Sequence, residues 1–123
     1  MFVGSMVSED TENFDRKSAY LNDVQARFIE NVVAIGKKVV VVLQNGGAMI
    51  FDEWAKDASA ICEMWLGGEG AGSAIADVLC GIVNPSGKLP ETFPTKMRTD
   101  LQYPGEGLVL EYNEKLDVFH YCS

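Results

Sequence analysis

Five consecutive apolar residues, Val39-Val40-Val41-Val42-Leu43, four of them β-branched, constrain this chain more than any other feature. A run so short and so rich in β-branched side chains predicts a strand. With no polar residue alternating through it, that strand must be covered on both faces. The polar turn Gln44-Asn45-Gly46-Gly47 follows it. A second apolar run, Ala60-Ile61-Cys62-Glu63-Met64-Trp65-Leu66, leads into the glycine-rich turn Gly67-Gly68-Glu69-Gly70-Ala71-Gly72, and a short helical pattern covers residues 73–80. Buried strands that each end in a glycine-rich turn predict a parallel α/β sheet, with ligand sites at the carboxyl ends of its strands.

The flanking segments fit the same plan. Met1-Phe2-Val3-Gly4 reads as the end of a strand with nothing before it, so earlier strands are expected to be missing or replaced by a second chain. Asn22 or Asp23 can cap a helix running to about Ile35, in which Val24, Phe28, Val32 and Ile35 form one apolar face, widened by Ile29 and Val33. Gly36 then ends it. Ile50, Phe51, Trp54, Ala55 and Ala58 are spaced as a short helix, where Trp54 is either core packing or a sugar-stacking platform. Ala74, Ile75, Val78 and Leu79 give the next helix its apolar face, ended by Gly81. Asn84-Pro85-Ser86-Gly87 is a turn, and residues 89–93 read as one more short strand. After residue 94 the pattern weakens to a loop around Tyr103-Pro104-Gly105 and a possible edge strand over residues 108–112.

Length and charge narrow the function classes. A chain of 123 residues with 47% apolar and 10% aromatic content is one domain at most and can bury a core. Its net charge of −8 and scattered basic residues argue against nucleic acid or an anionic membrane as partner. No apolar run approaches the ~18 residues of a spanning helix. The cysteines Cys62, Cys80 and Cys122 have no C-x-x-C spacing, which predicts reduced thiols in a cytoplasmic protein. The motif Gly68-x-Gly70-x-x-Ser73 lacks the third glycine of a dinucleotide fingerprint, and Glu69 would repel a phosphate. His120, close to the terminus, reads as neither ligand nor base.

The segment Ser8-Glu9-Asp10-Thr11-Glu12-Asn13-Phe14-Asp15-Arg16 follows the first strand and crowds four carboxylates within seven residues. It can be a solvated acidic loop. It can also be a site loop, because crowded carboxylates raise one another's pKa, which suits a general acid. It lacks the D-x-[DN]-x-[DN]-G order of a calcium loop, and neither a metal nor a cofactor is expected.

The continuous stretch from Trp65-Leu66-Gly67-Gly68-Glu69-Gly70 through Ala76-Asp77-Val78-Leu79-Cys80-Gly81 to Asn84-Pro85-Ser86-Gly87-Lys88-Leu89-Pro90-Glu91-Thr92-Phe93-Pro94 resembles the signature run of glycoside hydrolase family 3, which includes β-glucosidases and β-xylosidases. The run belongs to that family's C-terminal α/β sandwich domain. The similarity extends upstream through residues 39–47 to the acidic loop, where the family's Glu-Gly-x-Asp-Arg reads Glu12-Asn13-Phe14-Asp15-Arg16, after a strand ended by Gly4. Asn13 stands in place of the family's glycine. It fades after Pro94, although Glu111-Tyr112-Asn113-Glu114 again looks like the family's segment beyond the sandwich.

The resemblance implies an α/β fold: a three-layer sandwich with a short, mostly parallel sheet, forming an incomplete family 3 C-terminal domain over residues 1–123, with a core of 1–94 and a tail of 95–123. It implies that Glu12 is the acid/base of a retaining β-glycosidase acting on a β-linked glucoside or xyloside, with Asp15 and Arg16 supporting the loop. The family's nucleophile lies on a barrel that this sequence does not contain, so inactivity in isolation is expected. Acting alone, the chain would need a second carboxylate, sought at Glu9, Asp10 or Glu69. The rival expectations are a non-catalytic sugar-binding or structural remnant and, less in keeping with the charge, a small phosphate binder at residues 67–72. An open sheet edge predicts a homodimer or a partner chain over it.

Overall fold

A computed structural model describes residues 1–6, 8, 11, 12, 16, 18–51 and 53–96. Three strands, β1 (Phe2–Gly4), β2 (Val40–Gln44) and β3 (Ala60–Glu63), form one parallel sheet in the order β1-β2-β3. Phe2 stands opposite Val42 in one pair, and Val42 opposite Cys62 in the other. Helix α1 (Asp23–Val33) connects β1 to β2, a 3-10 turn (Glu53–Lys56) connects β2 to β3, and α2 (Ala71–Leu79) follows β3. Val41, Val42 and Leu43 are fully buried, as the unbroken apolar run requires.

The alternation of the strands divides the core. Val3, Val41 and Leu43 point to one face, where Ile29 of α1, Met49 and Trp54 close over them. Trp54 is 1% exposed, so it is core packing and offers no stacking surface. On the other face Phe2, Gln44 and Met64 line a groove of about 470 Å³ with Ala71, Ile75 and Leu79 of α2. Helices on both faces of a parallel sheet make the expected three-layer α/β arrangement. The backbones of β1 and β2 come together closely at their carboxyl ends, where a Cβ on Gly4 would overlap the Gln44 carbonyl.

Helix α1 corrects one expectation. Asn22 caps it, its Oδ1 accepting the Gln25 N–H at 3.0 Å, and Gly36 follows it with φ +77°. The buried face, however, is Ile29 with the partly buried Ala26, Val32 and Val33, while Val24, Phe28 and Ile35 are 79%, 55% and 68% exposed. The helix carries two apolar stripes about 100° apart. Gln25 helps to choose between them, because its Oε1 accepts the Gly4 N–H at 3.1 Å and so turns that side of α1 toward the sheet.

Two other boundaries move. β3 ends at Glu63, three residues before the apolar run does, because Trp65 takes a left-handed φ of 54°. Residues 89–93 form no strand. Pro85, Pro90 and Pro94 remove backbone donors from this segment, and side chains fasten it instead. Phe93 stacks on Phe51 at a centroid distance of 5.2 Å and lies 5.9 Å from Trp65. The possible edge strand at 108–112 lies outside the described residues, as does Cys122. Cys62 and Cys80 are free thiols, and burial, with Glu63 alongside, pushes the Cys62 thiol up and keeps it protonated. Among the described residues, no helix is long and apolar enough to cross a membrane.

Candidate functional site

The carboxyl ends of the three strands deliver Gly4 and Ser5, the turn at residues 45–49, and Glu63 to Trp65 to one end of the sheet. Asn45 is completely buried there. Its Nδ2 donates to the Gly47 carbonyl at 2.7 Å and to Glu63 Oε2 at 3.3 Å, two acceptors that fix which way the amide faces. Glu63 Oε1 accepts the Trp65 N–H at 2.8 Å, so the carboxylate spans the kink at which β3 ends. Glu91 Oε1 accepts the Ala48 N–H at 2.9 Å, tying the segment after α2 to the turn after β2.

The acidic loop approaches the same turn. Glu12 lies in a turn and is exposed to solvent. Arg16 is partly buried: its Nη2 donates to the Ala48 carbonyl at 3.0 Å and its Nη1 lies 2.9 Å from Met49 Sδ. Asp15, Glu9 and Asp10 lie outside the described residues. Glu69 sits exposed in a 3-10 turn (Gly68–Gly70) that runs directly into α2, away from this cluster's hydrogen bonds. Among the described residues, no group of three or more His, Cys, Asp or Glu side chains is placed to hold a metal ion.

Sequence reasoning did not single out Asn45, Glu63 or Glu91. Glu63 carried a signal, since it is the one carboxylate within the apolar run at residues 60–66. A charged group in such a run at a strand's carboxyl end needs partners, and here it has them. Burial pushes the Glu63 carboxyl above its ordinary value, N–H donors from Trp65, Asn45 and Met64 hold it back, and the neighbouring Glu91 adds to the rise. The folded chain therefore binds a proton at Glu63 that the unfolded chain has already lost, and stability falls as pH rises through that window. The window opens near the ordinary value of 4.5 and closes at the raised folded value. In urea melts between acidic and neutral pH, Glu63→Gln should abolish this component, so the stability difference between native chain and variant should drift against the native chain as pH rises. A pH-independent difference would remove this assignment.

The profile of the glycosyl hydrolase family 3 C-terminal domain matches residues 1–120. The thermostable β-glucosidase B of Acetivibrio thermocellus is 41% identical over 121 residues, which is 96% of this chain and 16% of that protein. The exo-α-(1→6)-L-arabinopyranosidase of Bifidobacterium longum is 40% identical over 93% of this chain and 16% of its own length. Among solved structures, the family 3 β-glucosidase of Bifidobacterium adolescentis superposes with a TM-score of 0.77 at 38% identity, over 87% of this chain and 16% of that one. The chain thus spans about a sixth of the length of the curated relatives it matches.

Proposed function

This chain belongs to glycosyl hydrolase family 3, as a stretch of that family's C-terminal domain, and from that premise we propose that it supplies the acid/base loop of a retaining β-glycosidase site whose nucleophile is carried elsewhere. The domain then occupies residues 1–123, with its core in 1–94 and a tail beyond. The substrate class is a β-linked glucoside or xyloside. The two relatives named above differ in the sugar they are named for, so the family itself does not fix the glycone.

Glu12 is the acid/base in this proposal. In the first step it would protonate the departing glycosidic oxygen, and in the second it would deprotonate the water that releases the sugar. Exposure suits that role before a second domain closes over the loop, because the group must reach a substrate held against another surface. Asp15 and Arg16 would hold the loop without reacting. The observation that carries the proposal is Arg16: four residues after Glu12, it fastens the loop to the turn at the carboxyl end of β2, the end at which open α/β sheets bind ligands.

A retaining mechanism needs a second carboxyl group ~5–5.5 Å from the first to act as nucleophile. The purified chain alone should therefore hydrolyse neither an aryl β-glucoside nor an aryl β-xyloside. Turnover that disappears in Glu12→Gln would instead require a second carboxylate within the chain or an oligomer of it, and would overturn the division of labour proposed here.

A covering neighbour is also part of the proposal. Among the described residues β1 and β3 each pair along one edge only, and Phe2, Leu66 and Ile82 are 55%, 71% and 73% exposed. A second copy or a partner chain would bury such surface. Light scattering should show the purified chain as a dimer or larger; a stable, monodisperse monomer at micromolar concentration would contradict this.

A further inference from the structure

Both backbone polar groups of Ala48 are taken by side chains from distant parts of the chain. Glu91 Oε1 accepts its N–H across 43 residues, at 2.9 Å, and Arg16 Nη2 donates to its carbonyl across 32 residues, at 3.0 Å. On the other flank of the same turn Asn45 Nδ2 binds the Gly47 carbonyl at 2.7 Å and is itself oriented by Glu63 Oε2 at 3.3 Å. A polar turn on the surface can satisfy its backbone with water. Here the turn is instead clamped by two carboxylates and a buried amide, and the group seated on it is the guanidinium of the acidic loop.

We propose that Glu91 and Glu63 are positioning residues, which make the 45–49 turn a rigid seat for Arg16 and so hold the loop that carries Glu12. Glu91 acts directly on the turn, and Glu63 acts through Asn45. The need for such a device is geometric: a catalytic group displaced by about 1 Å can lose ~10²-fold in rate, and a loop alone positions a side chain less well than the scaffold beneath it. The arrangement gives Glu91, inside the proline-interrupted segment after α2, a task that strand pairing does not supply. The catalytic meaning rests on the assignment of Glu12; the clamp itself does not.

The clamp can be read without any turnover, because trypsin cleaves after Arg16. In the full chain, Glu91→Ala should accelerate cleavage after Arg16 or Lys17 about tenfold, the scale of a lost charged hydrogen bond. Cleavage at the exposed Lys37-Lys38 pair should keep its rate. Glu91→Gln retains a neutral acceptor oxygen for the Ala48 N–H and should reverse most of the acceleration, which general destabilisation would not do. Glu63→Ala should accelerate the same cleavage. An unchanged rate in Glu91→Ala, or equal acceleration at both sites, would overturn the proposal. If neither alanine variant folds, hydrogen exchange of the native chain decides it: the Ala48 amide should exchange at least about tenfold more slowly than an unstructured peptide, and exchange at the unstructured rate would overturn it. Glu12→Gln should leave all of these rates unchanged, because the clamp does not involve Glu12, and the acid/base assignment is judged separately, by turnover.

Discussion

Trp54→Ala is expected to destabilise the chain by ~3–5 kcal/mol, the range for deleting a large buried aromatic. Trp54 is 1% exposed and lies in the cluster formed by Ile29, Leu43 and Met49, with Phe51 edge-on at a centroid distance of 5.5 Å. It therefore joins α1, β2 and the segment between β2 and β3. Small domains hold only ~5–15 kcal/mol of net stability, so the variant should be largely unfolded at moderate urea. Trp54→Phe should cost distinctly less. It keeps an aromatic ring, and it removes an indole N–H that is buried without an acceptor among the described residues, a group whose burial itself carries a penalty of ~1–3 kcal/mol. Urea denaturation of the three proteins checks the order native, Trp54→Phe, Trp54→Ala. An alanine variant within ~1 kcal/mol of native would mean that the core is organised around something other than Trp54.

Glu12→Gln should reduce turnover by ~10²–10⁴-fold, the usual contribution of general acid–base catalysis. The measurement needs a nucleophile, which can be provided by grafting this chain into the Acetivibrio thermocellus β-glucosidase in place of the 121 residues it matches at 41% identity. Glutamine is nearly isosteric with glutamate and keeps a hydrogen-bonding group, but it can neither deliver nor take up the proton. Because Glu12 is exposed and, among the described residues, no backbone hydrogen bond of the sheet involves it, the variant should melt with the native graft. A loss of turnover with an unchanged melt would therefore be chemical in origin. Equal loss of turnover and stability would point to Glu12 as a structural residue.

The parts of the fold that one strand can specify by itself were the legible ones. Val41, Val42 and Leu43 are buried on both faces because an apolar run of β-branched residues has no other stable placement. Asn22, Gly36 and Gly81 end their helices through local geometry that a few neighbouring residues decide. Choices between tertiary partners were less legible. Val24, Phe28 and Ile35 have a helical spacing as good as that of Ile29 and Val33, and only the sheet, with Gln25 bonded to Gly4, selects between them. Residues 89–93 read as a short strand, yet prolines and the contacts of Glu91 and Phe93 give them another course. Glu91 meets the Ala48 N–H across 43 residues and Glu63 meets Asn45 across 18, so spacing alone shows neither of these contacts, although the place of Glu63 in an apolar run marks it as a group that needs partners. Glu12 was singled out by its motif, and it lies in an exposed turn.

The leaving-group dependence of the Glu12→Gln graft tests the central assignment most directly. A dinitrophenyl β-glucoside departs as a stable phenolate and needs no proton, whereas an unsubstituted phenyl β-glucoside needs one. If Glu12 is the acid, the first-turnover rate should fall by ~10²-fold or more with the phenyl substrate and by much less with the dinitrophenyl substrate. Equal losses with both substrates, or no loss with either, would contradict the assignment of Glu12 as the proton donor.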